Sequence, residues 1–226
     1  MAKWAESEAS FRKLLLIAPQ NPTVHHWYGD MLYESGRVSE AVREIRAARD
    51  LDPLSAIIQS EYANVLYLAR KYDSAIAEGR RSVLLDTTLS TAYVNYAAAH
   101  IFVNQPDSTG RLLRYALRMD STQRMALAYL PYALMASGKK DEARALVRGL
   151  VSEAEATGSG AFVAGAALLA IGDKNGAIRF FETAVRRGEE GQLLGAGMVD
   201  PLFDPLRSEP RFLALLDKLG IVRQTH

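Results

Sequence analysis

A step of 34 residues runs through this chain without an insertion. Small residues recur at Gly29, Ala63, Ala97 and Gly165, with Pro131 in the remaining slot. A second series is Ser7, Ala41, Ala75, Thr109, Ala143 and Ala177, and a third is Leu14, Ala48, Ser82, Ala116, Leu150 and Ala184. A fixed period of this size marks a solenoid, because one unit cannot bury its apolar face alone and must stack on the next. Such arrays hold other molecules, so the sequence says more about how the chain binds than about what it binds.

With Gly29 placed at position 8 of a repeat, five repeats cover 22–55, 56–89, 90–123, 124–157 and 158–191. Positions 4, 7 and 11 then form an apolar stripe at helical spacing, as in Leu127, Leu130 and Leu134 of the fourth repeat. Position 15 is a turn, held by Gly36, Arg70, Asn104, Gly138 and Gly172. Position 18 carries Ser39, Asp73, Asp107, Asp141 and Asn175, residue types that favour the N-cap of a second helix. The small residues at positions 8, 20 and 27 let neighbouring helices approach. Two positions break the pattern. Pro131 is expected to kink or split its helix, and Gly79 leaves space that a neighbour must fill.

This pattern resembles the tetratricopeptide repeat family over roughly residues 4–191. The resemblance implies an all-α, right-handed superhelical solenoid of helix-turn-helix repeats. Residues 4–21 read as an N-terminal half repeat, 22–191 as the five repeats, and 192–226 as a C-terminal tail with a capping helix. The half repeat lacks its first helix, leaving Phe11, Leu14 and Leu15 partly uncovered. Either more chain precedes it or a partner covers that face. In the tail, Gly191, Gly195 and Gly197 loosen the chain. Two Asp-Pro turns follow in Asp200-Pro201-Leu202-Phe203-Asp204-Pro205, and then a short amphipathic helix begins at Pro210. Together with Leu51-Asp52-Pro53-Leu54-Ser55 and Ala69-Arg70-Lys71-Tyr72-Asp73, this stretch is similar to the C-terminal repeat region of bacterial multidomain regulators. In that group the region follows a winged-helix, cyclase or kinase domain.

The resemblance also implies a concave groove lined by the first helices of the repeats. Carried over residue by residue, it gives His26, Asp30, Tyr33 and Glu34, then Ser60, Asn64 and Tyr67, then Val94, Asn95 and Ile101 as candidate partner-binding residues, with Tyr132 further along. Asn64 or Asn95 would bind the backbone of an extended peptide, and the tyrosines its side chains. The apolar C-terminal half of this trough is expected to be filled by the chain's own residues 198–219, since a bare trough of that length is unusual on a soluble protein. The clamp that grips a chaperone's terminal carboxylate needs cations at positions 2, 5 and 6. Those positions hold Thr23, His26 and Trp27, then Ile57, Ser60 and Glu61, so the clamp is not expected. Asp30, Glu34 and Glu61 favour a ligand with positive charge.

Two other readings stand beside this one. Arg46, Arg80, Arg114 and Arg148 recur on the second helices and could form a ladder for RNA or an acidic partner. A net charge of +1 favours an ordinary solvated face instead, so nucleic acid is not the expected partner. The open half repeat could also mediate homo-oligomerisation. No cofactor, metal site or catalytic pair is apparent. His100, standing where the other repeats have leucine, reads as a core histidine bonded to a nearby hydroxyl. The chain has no cysteine and no stretch long enough to span a bilayer, and a cytoplasmic protein-binding or peptide-binding role is expected.

Overall fold

The structure, a computed structural model, describes residues 2–188, 195 and 197–223. Its helices are α1 (Ala2–Ile17), α2 (Pro22–Glu34), α3 (Val38–Leu51), α4 (Ala56–Leu68), α5 (Tyr72–Leu85), α6 (Ser90–Phe102) and α7 (Pro106–Met119). They continue with α8 (Arg124–Ala136), α9 (Lys140–Thr157), α10 (Ala161–Ala170), α11 (Lys174–Arg187), a 3-10 segment (Pro201–Leu206) and α12 (Pro210–Leu219). Successive helices pack as antiparallel pairs, and each pair packs on the next. Among the described residues there is no strand. The fold is an all-α solenoid of helix pairs.

One turn geometry repeats five times. Gly36, Gly138 and Gly172 have φ of +88°, +75° and +88°, and Arg70 and Asn104 adopt the same left-handed backbone at +61° and +55°. The next residue's N–H then bonds back five residues. Arg37 donates to Leu32 O, Lys71 to Leu66 O, Gln105 to His100 O, Lys139 to Leu134 O and Asp173 to Leu168 O. This Schellman closure satisfies orphan carbonyls at the end of the first helix. It also corrects the expected caps. The residue at position 16 both closes the first helix and caps the second, so position 18 already lies in the first turn of the second helix. Asp73, Asp107 and Asp141 therefore act on the helix dipole rather than as caps. Of the five cap residues, Asp173 alone uses its side chain, accepting from Gly176 N.

Three further details depart from a uniform array. Helix α9 is extended to 18 residues and α10 shortened to 10, with Gly158 and Gly160 in left-handed conformation between them. Helix α8 is not split at Pro131; it has 13 residues, as do α2, α4 and α6. Gly79 is filled by its neighbour, since a Cβ there would sit 2.8 Å from Tyr96 Cα.

Helix α1 packs as an unpaired second helix. Phe11 stacks on Tyr28 at 5.6 Å, and Glu8 accepts from Arg37 at 2.7 Å. The Arg37 guanidinium holds the Glu8 carboxyl at about 2, below the usual carboxylate range. Leu14, Leu16 and Ile17 remain exposed.

The tail is the element that closes the molecule. Phe203 and Phe212 join Phe162 and Phe181 in one aromatic cluster, and all four are buried. Arg211 forks onto Glu182 of α11 at 2.7 and 2.9 Å. The end of α12 and the residues after it meet the half repeat and the first repeat: Trp4 Nε1 of α1 donates to Leu219 O at 3.0 Å, and Val222 N donates to Ser35 O at 2.8 Å. The described tail thus runs from the last helix pair back to the first. The loosening expected from Gly191 onward lies outside the described residues, apart from Gly195 and Gly197.

Candidate ligand groove

The tail divides the concave face into two parts. In the middle, Tyr67 of α4 and Tyr129 of α8 each donate a hydroxyl to Asp200, both at 2.6 Å, one to each carboxylate oxygen. Leu202 N also donates to Asp200 Oδ1 at 2.8 Å. Burial pushes the Asp200 carboxyl upward and the two hydroxyls and Arg207 oppose it, with a net rise. Nearby, Arg70 and Arg207 both hold Asp204, at 2.7 and 2.9 Å. Burial raises that carboxyl and the two guanidinium groups more than reverse it.

Tyr67, expected as an anchor for a partner, is therefore fully buried and committed to the tail. The Tyr132 hydroxyl is buried without a hydrogen-bond partner. Val94 is buried, and Ile101 is partly buried against the core. Ser60 and Asn95 are buried and bonded to each other, Asn95 Nδ2 donating to Ser60 Oγ at 3.0 Å and to Ser60 O at 3.2 Å.

The remaining candidates gather at the N-terminal end. Asn64 and Asn95 donate to the two oxygens of Glu61, at 3.3 and 3.4 Å. His26 Nε2 lies 3.5 Å from Asp30 Oδ2. Asp30 Oδ1 is buried without a hydrogen-bond partner. Burial first, then the charges of Glu61 and Glu34, push the Asp30 carboxyl up to about 8. Burial raises Glu61, the two asparagines opposing it, and lowers His26. Burial and the same carboxylates push the Tyr33 hydroxyl far above its ordinary range. Gly195 passes over Glu34, where a Cβ would lie 3.1 Å from Glu34 Cβ. The result is a cluster of largely buried carboxylates beside an imidazole whose protonation burial disfavours. Among the described residues no cluster fits a metal ion.

In the arginine series, two members meet carboxylates of their own chain. Arg46 is 3.8 Å from Asp50, and Arg114 is paired with Glu142 at 2.6 Å. Arg80 and Arg148 are exposed on separate helices. His100 is not bonded to a hydroxyl; it is 5% exposed and neither ring nitrogen finds a partner of good geometry. Sequence reasoning missed the pairing of Tyr129 with Asp200 and of Arg70 with Asp204. The doubled Asp-Pro pattern was the available signal, but it reads locally as two turns.

These features define a class: a solenoid of helix pairs whose concave face is partly filled by its own tail. A family model described as tetratricopeptide repeat matches residues 29–88. Among solved structures, a tetratricopeptide repeat protein from Parabacteroides merdae shares the fold with a TM-score of 0.65 and 16% identity, over 89% of this chain and 78% of that one. PilW, a type IV pilus biogenesis factor, gives 0.62 and 18%, over 84% and 89%. YrrB, a TPR protein with an unusual peptide-binding site, gives 0.51 and 15%, over 83% and 97%. No curated protein matches the chain at a significant level. No helix among the described residues is long and apolar enough to cross a membrane.

Proposed function

We propose that this chain is a non-catalytic, cytoplasmic protein-interaction module that takes a peptide or protein segment at the N-terminal end of its concave face. A lysine or arginine of the partner enters the cluster of His26, Asp30, Glu34 and Glu61, and Asn64 lies beside its backbone. The observation that carries this reading is Asp30, a carboxyl held protonated up to about pH 8 with one buried oxygen lacking a partner. A cation placed there would ionise it and fill the missing interaction. YrrB, which shares the fold, has a peptide-binding site, and that likeness supports peptide recognition without locating it. The resemblance of the tail to bacterial multidomain regulators favours a sensory or scaffolding role beside an output domain.

The test is selection of extended peptides from a random display library on the intact chain. The enriched sequences should share a lysine or arginine at one register position. Asp30→Asn with Glu61→Gln should abolish that enrichment. Enrichment of neutral or acidic peptides would refute the assignment. A second reading, self-association through α1, is favoured by the exposed Leu14, Leu16 and Ile17. It predicts that Leu16→Glu with Ile17→Glu lowers the mass measured by light scattering.

A further inference from the structure

Outside the concave face, a cavity of about 540 Å³ opens between α6 and α7 of the third repeat. Its walls are Tyr93, Tyr96 and His100 from α6 and Arg111, Tyr115 and Arg118 from α7. The spacing explains the convergence: the α6 residues fall three and four apart, and the α7 residues four and three apart, so each set lies on one helix face.

Three properties set this cavity apart from an ordinary crevice. First, it holds unneutralised positive charge. Arg114, also in the lining, is paired with Glu142 at 2.6 Å. Arg111 reaches only the Ser108 hydroxyl, at 3.3 Å. Arg118 lies over the Tyr115 ring, 5.1 Å from its centroid. Among the described residues neither Arg111 nor Arg118 meets a carboxylate. Second, it has a buried, underused hydrogen-bonding group. His100 is 5% exposed, its ring 4.9 Å from Tyr96, and neither ring nitrogen has a partner of good geometry, Gln105 alone bearing on it. The equivalent residues of the other repeats, Leu32, Leu66, Leu134 and Leu168, meet the packing need without a polar group. Third, the walls are aromatic. Tyr93 and Tyr115 lie 4.6 Å apart and the Tyr93 hydroxyl donates to Thr87 O, which fixes its ring.

Two forked guanidinium groups and a buried imidazole suit a tetrahedral oxyanion, and three tyrosine rings suit a flat, weakly polar body. A cavity of this size accommodates a small molecule. We propose that the cavity is a second binding site, independent of the concave groove, for a small phosphate monoester carrying a planar ring. Arg111 and Arg118 grip the phosphate, His100 donates to one of its oxygens, and the ring lies among Tyr93, Tyr96 and Tyr115.

The test is calorimetric titration of the intact chain with AMP, adenosine and inorganic phosphate. AMP should bind saturably, with adenosine and inorganic phosphate each weaker by at least about tenfold. The Arg111→Ala and Arg118→Ala pair should weaken AMP by at least about tenfold while circular dichroism stays unchanged. His100→Leu installs the residue type that the other repeats carry, so the variant should fold and still lose affinity. Asp30→Asn should leave AMP binding intact. Absence of saturable AMP binding at millimolar concentration would overturn the proposal, and so would adenosine binding as tightly as AMP. Inorganic phosphate matching AMP would remove the ring from it. Arginine variants that bind normally would overturn the site.

Discussion

Replacing Asp30 with asparagine should stabilise the protein, and only above a definite pH. The carboxyl is pushed from 3.8 to about 8 by burial and by Glu61 and Glu34. Between those values the folded chain keeps a proton that the unfolded chain has released. A carboxyl raised in this way contributes its full stability below the unfolded value, and that contribution is lost as pH climbs toward the folded one. Each pH unit in the window is worth about 1.4 kcal/mol, which sets an upper limit of about 4 kcal/mol by pH 7. The Asp30 side chain is 23% exposed, so solvent screens part of this and about 1–3 kcal/mol is the expected gain. The substituted amide keeps the shape of the carboxyl and removes its titration. The groups facing it are His26 on the same helix, Tyr33, Glu34 and, from α4, Glu61; all stay in place in both proteins. The difference between the two therefore reports Asp30 together with its interaction with Glu61. Urea unfolding should give equal stabilities near pH 4 and a gap that widens through pH 8. A gap that stays within about 0.3 kcal/mol across that range would refute the reasoning. The same logic reaches the ligand: a cationic peptide should bind wild type more tightly as pH rises, with proton release, and the variant should show neither effect.

Two further outcomes follow from the packing. Tyr129→Phe leaves Asp200 Oδ2 without its hydroxyl donor, and Tyr67→Phe leaves Oδ1 with Leu202 N alone, so each should cost about 1–3 kcal/mol in urea unfolding, with Tyr129→Phe the more costly. Because both act on one carboxylate, a double-mutant cycle should depart from additivity by at least about 0.5 kcal/mol. Gly79→Val places methyl groups against the Tyr96 backbone; it should cost about 1–3 kcal/mol by overpacking and lower the melting temperature.

The parts of this molecule that could be read from its sequence are those fixed by neighbours along the chain. The step of 34 residues locates the five turns, because position 15 must adopt a left-handed backbone and the following N–H must bond back five residues. The cap falls at position 16 rather than 18 for a related reason. Aspartate in a first helical turn and aspartate at an N-cap give the same residue type two places apart, and only the Schellman bond decides between them.

The site needed a different kind of information. Helical periodicity can put Tyr67 on the concave wall, but what the wall faces depends on Asp200, 133 residues further on. Two chains with identical repeats and different tails would therefore present different grooves. This argues against reading a binding surface from repeat positions alone: Tyr67 and Asp30 lie on the same face of successive first helices, yet one is buried under the tail and the other keeps an unpaired oxygen. His100 makes the converse case. Its position in the repeat marks it as core, and its burial agrees, but the two idle ring nitrogens and the arginines opposite come from a cross-helix arrangement that no single repeat encodes. In a solenoid the period specifies the scaffold, and the residues that depart from it, or that meet a non-repeating segment, are where recognition is to be sought.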